Sequence, residues 1–146
     1  MQLSHNVCVL VADGRKMLFL RNEGDSTHPH LVVEHAEEQR NPDDRDQKSD
    51  AAGRAGARGS AGQNSFSEAD FHQLAEDRFA AAAADLLKRR ALAGSFESLI
   101  VIAPPHTLGE LRKHYHASVS DKLTGELHKD LTGHTIADIE AALLAA

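Results

Sequence analysis

The 146-residue chain is 41% hydrophobic and carries a formal net charge of −6. That size and composition fit one domain around one core, and the acidic balance excludes a surface that grips nucleic acid all over, because phosphate affinity rests on clustered Lys and Arg. The single cysteine, Cys8, excludes an intrachain disulfide and sits in an apolar run where a small buried hydrophobe is its ordinary role.

The N-terminal sequence MQLSHNVCVLVADG lacks the charged segment and small-residue cleavage site of an export signal. No apolar run reaches the roughly 18 residues that span a bilayer. A cytoplasmic protein without membrane contact is expected.

Asn6 to Ala12, NVCVLVA, is a continuous aliphatic run that predicts a central strand covered on both faces. Asp13-Gly14 follows, a dipeptide that signals a two-residue hairpin with positive φ at both central residues, so RKMLFLRN should return antiparallel. The loop EGDSTHP then leads to HLVVEH, whose Leu31–Val33 centre predicts a third strand. From Ala36 apolar periodicity vanishes, and residues 37–66 are expected to form a long flexible loop, since EEQRNPDDRDQKSD and AAGRAGARGSAGQNSF have little to bury against the cost of ordering.

Order returns with SFSEADFHQLAEDRFAAAAADLLKRRALAG. Phe71, Leu74, Ala75, Arg78, Ala82 and Leu86 recur at helical spacing, Ser67 with Asp70 predicts an N-cap, Lys88 to Arg90 suit the C-terminal dipole and Gly94 offers a left-handed stop. SLIVIA, Ser98 to Ala103, predicts another buried strand, halted by Pro104 and Pro105. Thr107 with Glu110 predicts a capping box opening the helix LGELRKHYH, TGELHKDL holds a short strand, and TIADIEAALLAA is a last helix capped by Thr135.

The order β-β-β, long loop, α-β-α-β-α predicts a single α/β domain over residues 1–146. Its form is a three-layer α/β/α sandwich on a mixed sheet of about five strands, with the second strand running against the others. This arrangement resembles ribonuclease-H-like folds, so a two-metal nuclease is the first chemistry to examine. Such a nuclease needs several strand-borne carboxylates holding ions about 3.5 to 4 Å apart, whereas VCVLVA and SLIVIA carry none and Asp13 is accounted for by its turn.

Ten histidines, including His28-Pro29-His30 and His114-Tyr115-His116, do not assemble into a four-ligand zinc pattern with thiolates or helix-spaced pairs. His72 and Glu76 read as a surface pair. No metal and no cofactor are expected. No G-x-S-x-G elbow, P-loop or G-x-G-x-x-G is present. GRAGARGSAGQ lacks the GK[ST] ending and the preceding strand of a phosphate loop, although its amides with Arg54 and Arg58 suit phosphate contact.

Three stretches carry a family resemblance: VLVADGRKMLFL, FHQLAEDRFAAAAADLL and, most specifically, VIAPPHTLGELRKHYHASVSDKLTGELHKDLTGHTIADIEAAL. With these the chain resembles the bacterial host-attachment protein family, described as required for attachment to host cells. That family is similar to the middle domain of archaeal and eukaryotic class-1 release factors, which enters the ribosomal peptidyl-transferase centre. There a basic loop before the long helix carries Gly-Gly-Gln, whose glutamine positions a water against the peptidyl-tRNA ester. SAGQN stands at the matching place, so the resemblance implies Gln63 as catalytic residue with Gly62 supporting it, Arg54 and Arg58 as RNA contacts, and the ribosome or tRNA as partner. Ala61 departs from the pattern where the first glycine would be.

Two other functions fit the same chain. One is a noncatalytic cytosolic interaction protein that affects attachment indirectly. The other is a phosphate or small-ligand module at the carboxyl ends of the strands, where Pro104, Pro105, His106 and Thr107 begin a helix.

Overall fold

The computed structural model describes residues 1–39 and 67–146. Five strands, β1 (Cys8–Ala12), β2 (Lys16–Asn22), β3 (Leu31–Glu38), β4 (Leu99–Ile102) and β5 (Leu123–Leu127), form one sheet in the order β3-β2-β1-β4-β5. β1 pairs in parallel with β4, and β4 with β5, while β2 is antiparallel to both its neighbours. The mixed sheet is thus the expected one, with β2 alone reversed.

Four helices complete the described fold: α1 (Glu68–Leu92), α2 (Pro105–His114), the single turn α3 (Ala117–Ser120) and α4 (Ile136–Ala145). Successive strand side chains point to opposite faces, and β1 uses both. Cys8, Leu10 and Ala12 join a core with Phe79, Ala83 and Leu87 of α1, Leu108 and Leu111 of α2 and Val119 of α3. Val9 and Val11 face a second core with Ile139 and Leu143 of α4. The outcome is three layers, with α1 to α3 on one face of the sheet and α4 on the other.

Several local expectations need correction. The β1–β2 turn is not centred on Asp13-Gly14. Asp13 N donates to Lys16 O at 2.9 Å, which makes Gly14 and Arg15 the central residues. Neither they nor Asp13 has positive φ, because Asn6 and Gly94 are the only described residues that do. The Asp13 carboxylate sets this turn instead, its Oδ1 accepting from Arg15 N and Lys16 N, both at 2.7 Å. Side-chain capture of turn amides replaces left-handed backbone.

β3 runs to Glu38, with Ala36, Glu37 and Glu38 paired to Leu18, Met17 and Lys16, so the strand takes two residues assigned to the long loop. It is an edge strand with outward-facing polar residues, which leaves no apolar alternation to read.

α1 is capped as expected: Ser67 accepts from Asp70 N, Asp70 accepts from Ser67 N, and Gly94 lies at φ +71°. Gly94 N to Ala91 O at 3.0 Å and Ser95 N to Arg90 O at 2.9 Å close the left-handed C-terminal motif. Its buried stripe, however, is Phe79, Ala80, Ala83, Ala84, Leu87 and Ala91, while Phe71 and Leu74 are exposed. The run FAAAAA is apolar on every side and carries no phase, so the rotation of α1 is fixed by Phe79 and Leu87 against the sheet.

α2 begins earlier than the Thr107-Glu110 pattern implies. Pro104 is its N-cap without a side-chain cap bond and Pro105 opens the first turn, where a missing amide costs nothing and φ is already set. Thr107 is buried inside the helix. Thr135 does cap α4, accepting from Asp138 N.

An ion network fastens the end of α1 to the sheet. Arg21 of β2 donates Nε to Glu34 Oε2 at 2.8 Å and Nη2 to Ser95 O at 2.6 Å. Arg90 of α1 reaches Glu34 Oε1 at 3.2 Å while its guanidinium stacks 4.3 Å from the Phe19 ring centre. The hydrogen bond from Arg21 holds the Glu34 carboxyl below its ordinary range, and the charges of Arg21 and Arg90 add to this against partial burial. Burial pushes the Cys8 thiol beneath this network up to about 11, as suits a packed rather than a reactive cysteine.

A depressed carboxylate stabilises the fold above its unfolded pKa of about 4.3 and loses that contribution as pH falls through the lower folded value. Glu34→Gln should therefore cost about 1–2 kcal/mol at pH 7 in chemical denaturation. The gap to the unmodified protein should close below about pH 4.

Candidate functional site

The carboxyl ends of β1, β4 and β5 lie at one end of the sheet, the position where open α/β folds bind ligands. Both described ends flanking residues 40–66 emerge there. Gln39 N donates to Arg15 O at 2.6 Å in the β1–β2 turn. Ser67 caps α1, whose N-terminal half passes over that turn so closely that a Cβ on Gly14 would come within 2.6 Å of Glu76 Cγ and Cδ. Glycine here permits the helix to approach.

Three polar groups meet beside this point. Gln73 and Asp77, one turn apart on α1, face His106 in the first turn of α2. Gln73 Nε2 is 2.8 Å from Asp77 Oδ1 and 2.6 Å from His106 Nε2, and His106 Nε2 is 3.2 Å from Asp77 Oδ1. Glu110, one turn after His106, accepts from Lys113 Nζ at 2.7 Å. Asp77, His106 and Glu110 form a group whose donor atoms lie within 4.8 Å of one another.

On the other side of the turn, the buried Thr132 hydroxyl lies 2.7 Å from Asp13 Oδ2 and 3.0 Å from Asp130 Oδ1. Asp13 therefore does more than close its hairpin: it ties the turn to the segment before α4. An open groove of about 400 Å³ separates the end of β3 from α1 and is lined by Glu37, Glu38, Gln39, Arg78, Phe79 and Ala82. Its two carboxylates make it a poor phosphate seat.

The residues expected from the resemblance, Gly62, Gln63, Arg54 and Arg58, lie outside the described residues. Of the ligand-module residues, Pro104 and Pro105 make the helix start, Thr107 is packed inside, and His106 alone reaches polar partners. Sequence reasoning passed over Gln73, Asp77 and Glu110. The signals were present as two i, i+4 pairs, Gln73–Asp77 and His106–Glu110, but only the packing of α1 on α2 joins them.

With this architecture in view, a family model for bacterial archaeo-eukaryotic release factor family 12 matches residues 6–143. The chain belongs to that family. No curated protein matches it. The match covers all five strands and leaves out only the ends of the chain, so the fold at the carboxyl end belongs to a release-factor-related domain. Among the described residues, no helix is long and apolar enough to cross a membrane.

Thr132→Val tests the tie between the turn and the α4 segment. Removing the hydroxyl leaves the half-buried Asp13 carboxylate without this donor while the exposed Asp130 turns to water, so unfolding stability should fall by about 1–2 kcal/mol, while Thr132→Ser should retain most of it.

Proposed function

We propose that this protein is a ribosome-associated factor that hydrolyses the ester of peptidyl-tRNA through Gln63. The observation that carries the reading is the family match over residues 6–143. It is supported by the fold, since Gln39 at the end of β3 and Ser67 at the start of α1, the described residues on either side of 40–66, both lie toward the carboxyl ends of the parallel strands. An ester is already activated, and its hydrolysis needs mainly a positioned water and stabilisation of developing charge. A glutamine side chain can hold a water with both its carbonyl and its amide, and ribosomal RNA would supply the remaining surroundings.

Gly62 would give the backbone beside Gln63 conformations closed to other residues. Arg54 and Arg58 would add phosphate contacts worth a few released counterions, too few for independent RNA binding in a chain of net charge −6, so docking would draw on a wider surface. A ribosomal partner implies action in the cytoplasm. The host-attachment trait associated with similar proteins would then follow from altered synthesis of surface components rather than from adhesion.

Ala61, standing before Gly62-Gln63, favours a second reading in which the chain binds the same partner without catalysis, because alanine lacks the backbone freedom of glycine. Peptide release from stalled ribosome–nascent-chain complexes separates the two. The catalytic reading predicts release by the unmodified protein and a loss of about 100-fold or more with Gln63→Ala, the scale of removing one transition-state donor. Equal release by both proteins, or none by either, removes the catalytic claim.

A further inference from the structure

We infer that Asp77, His106 and Glu110 form a binding site for one divalent transition-metal ion, with zinc the best match to the donors. The inference does not depend on the Gln63 chemistry and rests on packing between α1 and α2. His106 and Glu110 are four residues apart on α2 and so project from one side of the helix. Asp77 faces them from α1, and all three donor atoms lie within 4.8 Å of one another.

Zinc bonds of about 2.0 to 2.2 Å in a tetrahedron place neighbouring donors roughly 3.3 to 3.5 Å apart. His106 Nε2 and Asp77 Oδ1, at 3.2 Å, already stand at that edge length. They bond each other directly only when His106 carries its proton on Nε2. Gln73 Nε2 contacts both, at 2.6 and 2.8 Å, and its two hydrogens serve both only if His106 Nε2 presents a lone pair. With the proton on Nε2 and the amide turned over, the Gln73 carbonyl oxygen would face Asp77 Oδ1 at the same 2.8 Å. The network therefore points an imidazole lone pair and a carboxylate oxygen at one spot, with an amide donor where a cation would go.

Glu110 brings a negative charge whose side chain is only 13% exposed, against 67% for its Lys113 partner. A metal ion could replace that ammonium, which would swing into solvent at little cost. Three protein donors on two packed helices would leave a fourth position on the open side, where His106 is 58% exposed. An imidazole with two carboxylates suits zinc better than magnesium or calcium, which prefer all-oxygen shells.

The test is titration of the purified full chain with Zn2+ by calorimetry and with Co2+ by visible absorption. The proposal predicts one saturable ion per chain and tetrahedral cobalt bands. His106→Ala and Glu110→Gln should each weaken affinity about tenfold or more, while Gln73→Ala and Lys113→Ala, which remove the competing donors, should tighten it. Absence of saturable binding, or unchanged affinity in His106→Ala with the ion held by other surface histidines, overturns it. If Glu110→Gln proves unfolded by circular dichroism, the tightening variants decide, and unchanged or weaker binding in both of them also overturns it.

Discussion

The structure depends on β1 being buried on both faces. CVLVA lies between β2 and β4 in the sheet, and its alternating side chains enter two cores, one under α1, α2 and α3 and one under α4. Every layer is fastened through this strand. No position in it tolerates charge without an uncompensated burial cost, so functional groups are confined to its ends. That confinement explains why the polar clusters gather where β1 gives way to Asp13 and where β4 gives way to Pro104.

The carboxyl end of the sheet is held firm by ties of different kinds. Asp13 closes the β1–β2 turn with one carboxylate oxygen and receives Thr132 on the other. Gly14 admits α1 at close range, and Pro104 and Pro105 start α2 beside it. The Arg21–Glu34–Arg90 network secures the far end of α1. Gln39 and Ser67, the described residues on either side of 40–66, are thereby set on a braced platform.

How much could be read beforehand follows from which residues carry one-dimensional signals. β1, β2 and β4 were legible because an apolar run of strand length bounded by Asp-Gly or Pro has few alternatives. The caps at Ser67 and Thr135 were legible because their partners lie three residues away. The phase of α1 was not, since an alanine run is apolar all round and only Phe79 and Leu87 against the sheet choose a face. The start of α2 was misread because Thr107-Glu110 satisfies the spacing of a capping box, while Pro105 had already set the helix dihedrals. The Gln73–Asp77–His106–Glu110 cluster was half visible, as two helical pairs far apart in sequence that tertiary packing unites. Gln63 rests on resemblance alone, since nothing in its neighbours' chemistry singles it out.

The central claim is that the carboxyl end of the sheet is the working end, turned toward a ribosomal ester. An electron cryo-microscopy reconstruction of the protein on a large ribosomal subunit carrying peptidyl-tRNA tests it most directly. The account predicts the β1–β2 turn and the Ser67 end of α1 facing the peptidyl-transferase centre, with Gln63 beside the ester. Docking through the α4 face with that end turned to solvent, or failure to occupy the subunit at all, would contradict it.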